Sequence, residues 1–259
     1  MTRISIIRRG LLALTLTLTA LGASALCTRH EPGRLWDYEG TLGGKYRVRM
    51  SLVFSGETVQ GVYVYASQLR DIALGGRLEA SQRLLLEETD AKGAVTGRFE
   101  TSFPERDPGE TYGDSPLTCD VIAGEWVSAD GKTRLPVYLT TQSSISGSLK
   151  HRYGAIGVRD DSVVNDGATA FWRALKKGDK QAVAARIAYP ITVRLDGRNR
   201  RFKSSADLLP HFDAIFTPEY TARILKAVPR NMFVRDQGAM LGNGEVWFNS
   251  AGKASTLVN

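Results

Sequence analysis

Cys27 and Cys119 are the only two cysteines in the 259-residue chain, and their chemistry depends on the compartment that holds them. In an oxidising one, two thiols pair more often than they stay free, so a Cys27 to Cys119 disulfide is expected if the chain is exported. The three histidines, His30, His151 and His211, lie far apart and lack an accompanying ligand pattern. They give no basis for a metal site, and no cofactor is expected. The chain has no Gly-x-Ser-x-Gly elbow and no phosphate-binding glycine loop ending in Lys-Ser or Lys-Thr. Gly242, Asn243 and Gly244 read as a backbone turn that needs positive φ. The rings of Tyr63, Tyr65, Phe99 and Trp126 fall in strand-like segments, where they either pack a core or line a ligand cup.

Export is read from the N-terminus. Arg3, Arg8 and Arg9 form a positive region, and residues 11–21 are an apolar run broken only by threonines. That run is too short for an anchor helix. It ends in Ala23, Ser24 and Ala25, the small-x-small pattern of a signal peptidase site, so residues 1–25 are expected to be a signal peptide cut after Ala25. Two alternatives stay open: a twin-arginine signal at Arg8 and Arg9, where Ile7 replaces the usual Ser or Thr, and lipidation at Cys27, where Leu26 replaces the usual small residue. Removing Arg3, Arg8 and Arg9 lowers the net charge from +7 to +4, with 31 basic against 27 acidic residues. Such a balance gives no argument for nucleic acid. The basic cluster Arg198, Arg200, Arg201 and Lys203 reads as a solvated hairpin edge. No later stretch is long enough to span a membrane.

Residues 33–142 are expected to form an antiparallel β domain, a barrel or meander of about eight strands. Tyr46, Val48, Met50, Leu52 and Phe54 alternate with other residues at the period of a strand with one buried face. Three segments repeat the form aliphatic-x-Gly-x-aromatic: Val59, Gly61 and Tyr63; Val95, Gly97 and Phe99; Ile122, Gly124 and Trp126. Within a strand those positions share a face, so each glycine leaves room beside a large ring. These motifs resemble the Gly-x-Trp signatures of lipocalin-like and avidin-like barrels, and closure would remove exposed edges. The loop over residues 103–117 is long for a hairpin connection.

Residues 143–158 read as a linker, after which the pattern becomes helical. Val164, Ala168, Phe171, Trp172 and Leu175 recur at helical spacing. Asp179 is placed to cap a second short helix that Pro190 follows, and Asp196-Gly197 signals a tight hairpin. Ser204 or Ser205 is expected to cap a helix carrying Leu208, Leu209, Phe212, Ile215 and Phe216; Thr217-Pro218 starts another, and a terminal meander follows. This order over residues 159–256 resembles the α+β cone of the NTF2-like superfamily as found in exported bacterial proteins, most tellingly at 188–193, 211–216 and 237–248. The resemblance implies a cone-shaped cavity able to host acid–base catalysis without a cofactor. The candidates for such catalysis are Asp213, Tyr220 and Asp236, with His211 and Glu245 behind them. A fold of this kind serves enzymes, binding domains and scaffolds alike.

The scarcity of catalytic motifs beside a disulfide-tied β domain favours a non-enzymatic exported binding protein that recognises or inhibits another exported protein or an envelope component. A cofactor-independent hydrolase, isomerase or dehydratase, or a small-ligand carrier using the barrel, is the alternative. If the cut falls after Ala25 and the thiols pair, intact-mass measurement of periplasmic protein should give a chain starting at Leu26 and lighter than its dithiol form by the hydrogens lost on oxidation. An acylated Cys27 would contradict both.

Overall fold

The computed structural model describes residues 33–109, 119–235 and 237–259. The expected signal peptide, Cys27, Asp236 and residues 110–118 of the long loop lie outside them. Eight antiparallel strands close into a barrel: β1 (Arg34–Leu42), β2 (Tyr46–Ser55), β3 (Thr58–Tyr65), β4 (Asp71–Leu78), β5 (Arg83–Thr89), β6 (Val95–Ser102), β7 (Val121–Ser128) and β8 (Arg134–Ser146). Each strand pairs with its sequence neighbour, and β8 returns to β1, with Leu42 opposite Val137 and Leu35 opposite Ile145. The inward rows of Tyr38, Met50, Phe54, Tyr63, Leu86 and Phe99 are all at most 1% exposed.

Two of the repeat glycines show why the interior packs this closely. A Cβ on Gly97 would come within 2.6 Å of the Trp126 indole, the ring on the paired strand. Gly124 has φ +146°, and a Cβ there would meet the Glu100 carbonyl oxygen at 2.4 Å. Only glycine lets the strands and the large rings approach so nearly.

Beyond the barrel lies a separate small α+β unit. Its helices are α1 (Ser162–Lys176), α2 (Lys180–Ala184), α3 (Ser205–Leu208), α4 (Phe212–Ile215) and α5 (Pro218–Lys226). A hairpin of β9 (Ile191–Leu195) and β10 (Arg198–Phe202) turns at Asp196 and Gly197, both with positive φ, as a two-residue hairpin of this sequence requires. A four-stranded meander, β11 (Phe233–Arg235), β12 (Gly238–Leu241), β13 (Val246–Phe248) and β14 (Ala254–Leu257), ends the chain. Asp179, Ser204 and Thr217 cap α2, α3 and α5 by accepting from backbone N–H groups, which satisfies donors the first turn would otherwise leave open.

Two features depart from the pattern reading. The helix expected through Leu208 to Phe216 is broken by a 3-10 turn at Leu209–His211, because Pro210 offers no backbone N–H to an α-helical ladder. The meander also gains β14, which the pattern did not mark. Among the described residues no helix is long and apolar enough to cross a membrane. Cys119 is buried, and Cys27, its expected partner, lies outside the described residues.

Residues 143–158 contain the last part of β8 and the buried Arg152 and Tyr153. Arg152 reaches the outer barrel wall, where its guanidinium donates to Asp37 through two bonds of 2.9 and 2.8 Å. Asp37 is wholly buried and also accepts from Ser51 at 2.6 Å and Ser143 at 2.9 Å. Arg152 donates onward to the Met232 carbonyl at 3.2 Å, and Arg49 bridges the Asn231 carbonyl at 2.9 Å to Glu39 at 2.5 Å. Nearby, Arg230 and Asn231 both donate to Asp71 on the barrel. The apolar side chains of Leu35, Val64 and Ile145 leave the barrel wall to join the core of the α+β unit.

Burial alone would raise the Asp37 pKa, but the charges of Arg152 and Arg49 and the bonds from Arg152 and Ser51 outweigh it and bring it down from 3.8 to about 2. A carboxylate with a depressed folded pKa stabilises the fold fully above its unfolded pKa, and that contribution is lost as pH falls through the folded value. The shift corresponds to about 2 kcal/mol. Urea unfolding should find Asp37→Asn less stable than the parent by about 3–5 kcal/mol at neutral pH, because Arg152 stays buried without its anion. The difference should narrow by about 2 kcal/mol as pH falls from about 4 to about 2.

Candidate functional site

The inward-facing row of β5 runs Leu84, Leu86, Glu88. A carboxylate at the third of these positions breaks the apolar pattern, and the register shift of the β5–β6 pair falls just after it, between Glu88 and Thr89. Glu88 lies at the barrel end where β1, β3, β5 and β7 finish and β2, β4, β6 and β8 begin. It is only 5% exposed.

Three neutral donors hold it. The Tyr63 hydroxyl and the Trp126 indole N–H, the latter at 3.1 Å, both donate to Oε2, and the Thr96 hydroxyl donates to Oε1 at 2.8 Å. Among the described residues no Lys, Arg or His is paired with Glu88. Burial first, then the bond to Glu88, pushes the Tyr63 phenol far above its ordinary range, in keeping with a hydroxyl that keeps its hydrogen and donates it to the carboxylate. Burial also raises the pKa of Tyr65; the Tyr63 hydroxyl opposes this, while the charge of Glu88 adds to it.

The rings around this carboxylate are stepped outward. Tyr63 meets Phe99 edge-on at 5.3 Å and Tyr65 at 5.4 Å, and Tyr65 meets Tyr46 at 6.4 Å. Tyr63 and Phe99 are buried, Tyr65, Trp126, Ile72 and Leu135 half-buried, and Tyr46 43% exposed. Lys45 holds its ammonium 5.1 Å from the centre of the Tyr46 ring. Such a mouth can grip a ligand by ring faces and by a buried negative charge.

The structure therefore brings Tyr63, Tyr65, Phe99 and Trp126 together, from three strands, β3, β6 and β7, at the same barrel end. Pattern reading missed Glu88, although its signal was present: a charged residue standing at an inward position of an alternating strand.

The C-terminal candidates are not gathered in this way. Asp213 is 80% exposed at its side chain and paired with Lys180 at 2.6 Å. Tyr220 is buried, and its hydroxyl donates to the backbone carbonyl of Glu245; burial raises its pKa. The Glu245 carboxylate accepts from the Asn243 backbone at 2.7 Å and faces Arg223 at 3.7 Å. His211 packs its ring against Phe202 at 5.7 Å. Asp236 lies outside the described residues. Among the described residues no group of three or more His, Cys, Asp or Glu is placed to hold a metal.

A concavity of about 240 Å³ lies at the seam between barrel and α+β unit. Glu39 and Arg49 form its polar side, already closed into an ion pair, and Val228, Met232, Phe233 and Met240 form its apolar side.

The chain matches no family model and no curated protein.

Gly97 sets the position of the Trp126 ring. Gly97→Ala should displace the indole, break its bond to Glu88 and destabilise the barrel by about 1–3 kcal/mol. The check is the Trp126 indole N–H resonance, assigned by its loss in Trp126→Phe: it should move in Gly97→Ala and stay in place in Gly75→Ala, a strand position where added volume meets nothing and the backbone needs no positive φ.

Proposed function

We propose that this chain is an exported, non-enzymatic binding protein that recognises or inhibits another exported protein or an envelope component, using the aromatic end of its barrel as the recognition surface. The observation that carries this reading is the Glu88 carboxylate, held at 5% exposure beneath half-buried and exposed rings. Aromatic residues with a central buried polar anchor are what recognition sites concentrate. The small-ligand carrier would need an open interior, whereas Tyr38, Met50, Phe54, Tyr63 and Phe99 occupy this one. That favours binding at the mouth over capture within.

In this reading the α+β unit, taken as an NTF2-like cone, is the scaffold that holds the barrel. Its candidate acid–base groups Asp213 and Tyr220 already have partners in Lys180 and the Glu245 backbone, which supports binding over cofactor-independent catalysis. Export to the periplasm or the medium and the Cys27 to Cys119 bridge belong to the same proposal.

The test is comparative co-purification from periplasmic extract. Wild-type protein should retain a defined partner, and a Tyr65→Ser, Trp126→Leu double variant with an unchanged circular-dichroism spectrum should retain about tenfold less, the scale of losing an aromatic anchor. Equal retention by both proteins, or none by the wild type, would overturn the reading.

A further inference from the structure

Buried charges in proteins are ordinarily paired, because removing an ion from water is costly unless an opposite charge compensates. Glu88 departs from this. Its partners are two hydroxyls and an indole N–H, none of them cationic. An ionised carboxylate offers about four acceptor sites, and three donors occupy them here. Oε2 takes two of them and Oε1 only the Thr96 hydroxyl, so Oε1 is the oxygen with acceptor capacity left.

The surroundings narrow what would fill that place. A hard metal ion needs several oxygen ligands, and the groups nearest Glu88 are two hydroxyls and ring faces. Ring faces attract cations, most strongly those whose charge is spread over apolar substituents and weakly hydrated. The chain itself supplies an example at the same end of the barrel, where the Lys45 ammonium sits over Tyr46.

We propose that the barrel mouth binds an organic ammonium ion, its charge facing Glu88 Oε1 and its carbon substituents lying against the rings of Tyr65, Trp126 and Tyr46. This rests on the binding-protein reading and adds the chemical class of what is bound. The ammonium has two sources that share this chemistry, a free amine or a lysine side chain displayed by a partner protein.

Isothermal titration and the Trp126 indole N–H resonance test it on the full mature chain with three probes: tetramethylammonium chloride, N-acetyl-lysine methylamide and the neutral N-acetyl-norleucine methylamide. At least one cationic probe should bind saturably and shift the indole signal, and the neutral probe should not. Tetramethylammonium alone points to a free quaternary amine; the lysine amide points to a partner's side chain. Glu88→Gln should weaken binding by about tenfold or more, as loss of a buried counter-charge requires. Glu87→Gln, on the exposed face of the same strand, should leave it unchanged. If Glu88→Gln fails to fold, Tyr65→Leu takes its place, with a severalfold loss expected. Binding of neither cation, equal binding of the neutral probe, or binding indifferent to both substitutions would overturn the proposal. If that happens while partner retention still depends on Tyr65 and Trp126, the ligand class fails and the binding-protein reading stands.

Discussion

The bidentate pair between Arg152 and Asp37 joins the two parts of this molecule. Asp37 belongs to the outer face of β1, a position that would meet water in an isolated barrel, and here it is wholly buried because the α+β unit covers it. Burying both charges is unfavourable in itself. It is offset only because every neighbour contributes a bond: Ser51 and Ser143 to the carboxylate, the Met232 carbonyl to the guanidinium, and Arg49 to the Asn231 carbonyl beside them. A network satisfied so completely fixes orientation more than it adds stability, since each bond tolerates little displacement. The barrel wall and the segment carrying Asn231 and Met232 are therefore held in one register.

That attachment explains the uneven character of the barrel surface. Leu35, Val64 and Ile145 point outward yet belong to the core of the α+β unit. Elsewhere the outer face is charged, as at Arg134, which pairs with Glu125 and Glu100 across neighbouring strands. Exposed pairs of that kind contribute little; their role is to keep the free wall soluble. The barrel thus has one covered side and one solvated side, and the cover reaches the rim of the aromatic end, where Ala66 and Leu69 pack into the α+β core and Arg47 donates to the Lys226 carbonyl at 2.6 Å.

Inside, the same closure that removes strand edges forces large rings toward one another, and glycine decides where they fit. Gly97 admits Trp126, and Trp126 in turn reaches Glu88. A carboxylate could not remain at that depth without donors: Thr96 comes from β6, the hairpin partner of β5, while Tyr63 and Trp126 come from β3 and β7, each two strands away and brought over the end of β5 by the curvature of the barrel. The site is a product of closure.

Much of the architecture was legible in the chain. Alternation with period two marked the strands, and the repeated glycine-aromatic form placed Tyr63, Phe99 and Trp126 on the inward face, because side-chain direction in a strand follows from backbone geometry alone. Asp196-Gly197 and the caps at Asp179 and Thr217 were equally local, set by φ preference and by donors within three residues. What pattern could not supply was anything that depends on distant strands meeting. Arg152 stood in a segment read as a linker, since nothing nearby in sequence announces that Asp37, 115 residues away, is its partner. Glu88 stands out in its strand as a charge at an inward position, but that Tyr63 and Trp126, from strands two places away, surround it follows only from the curvature of the closed barrel. The sequence by itself determined the elements, the capped turns and the faces of the strands, because these obey interactions a few residues long. Only the tertiary structure decided which charges are buried and what surrounds them, because burial is a property of the whole packed chain.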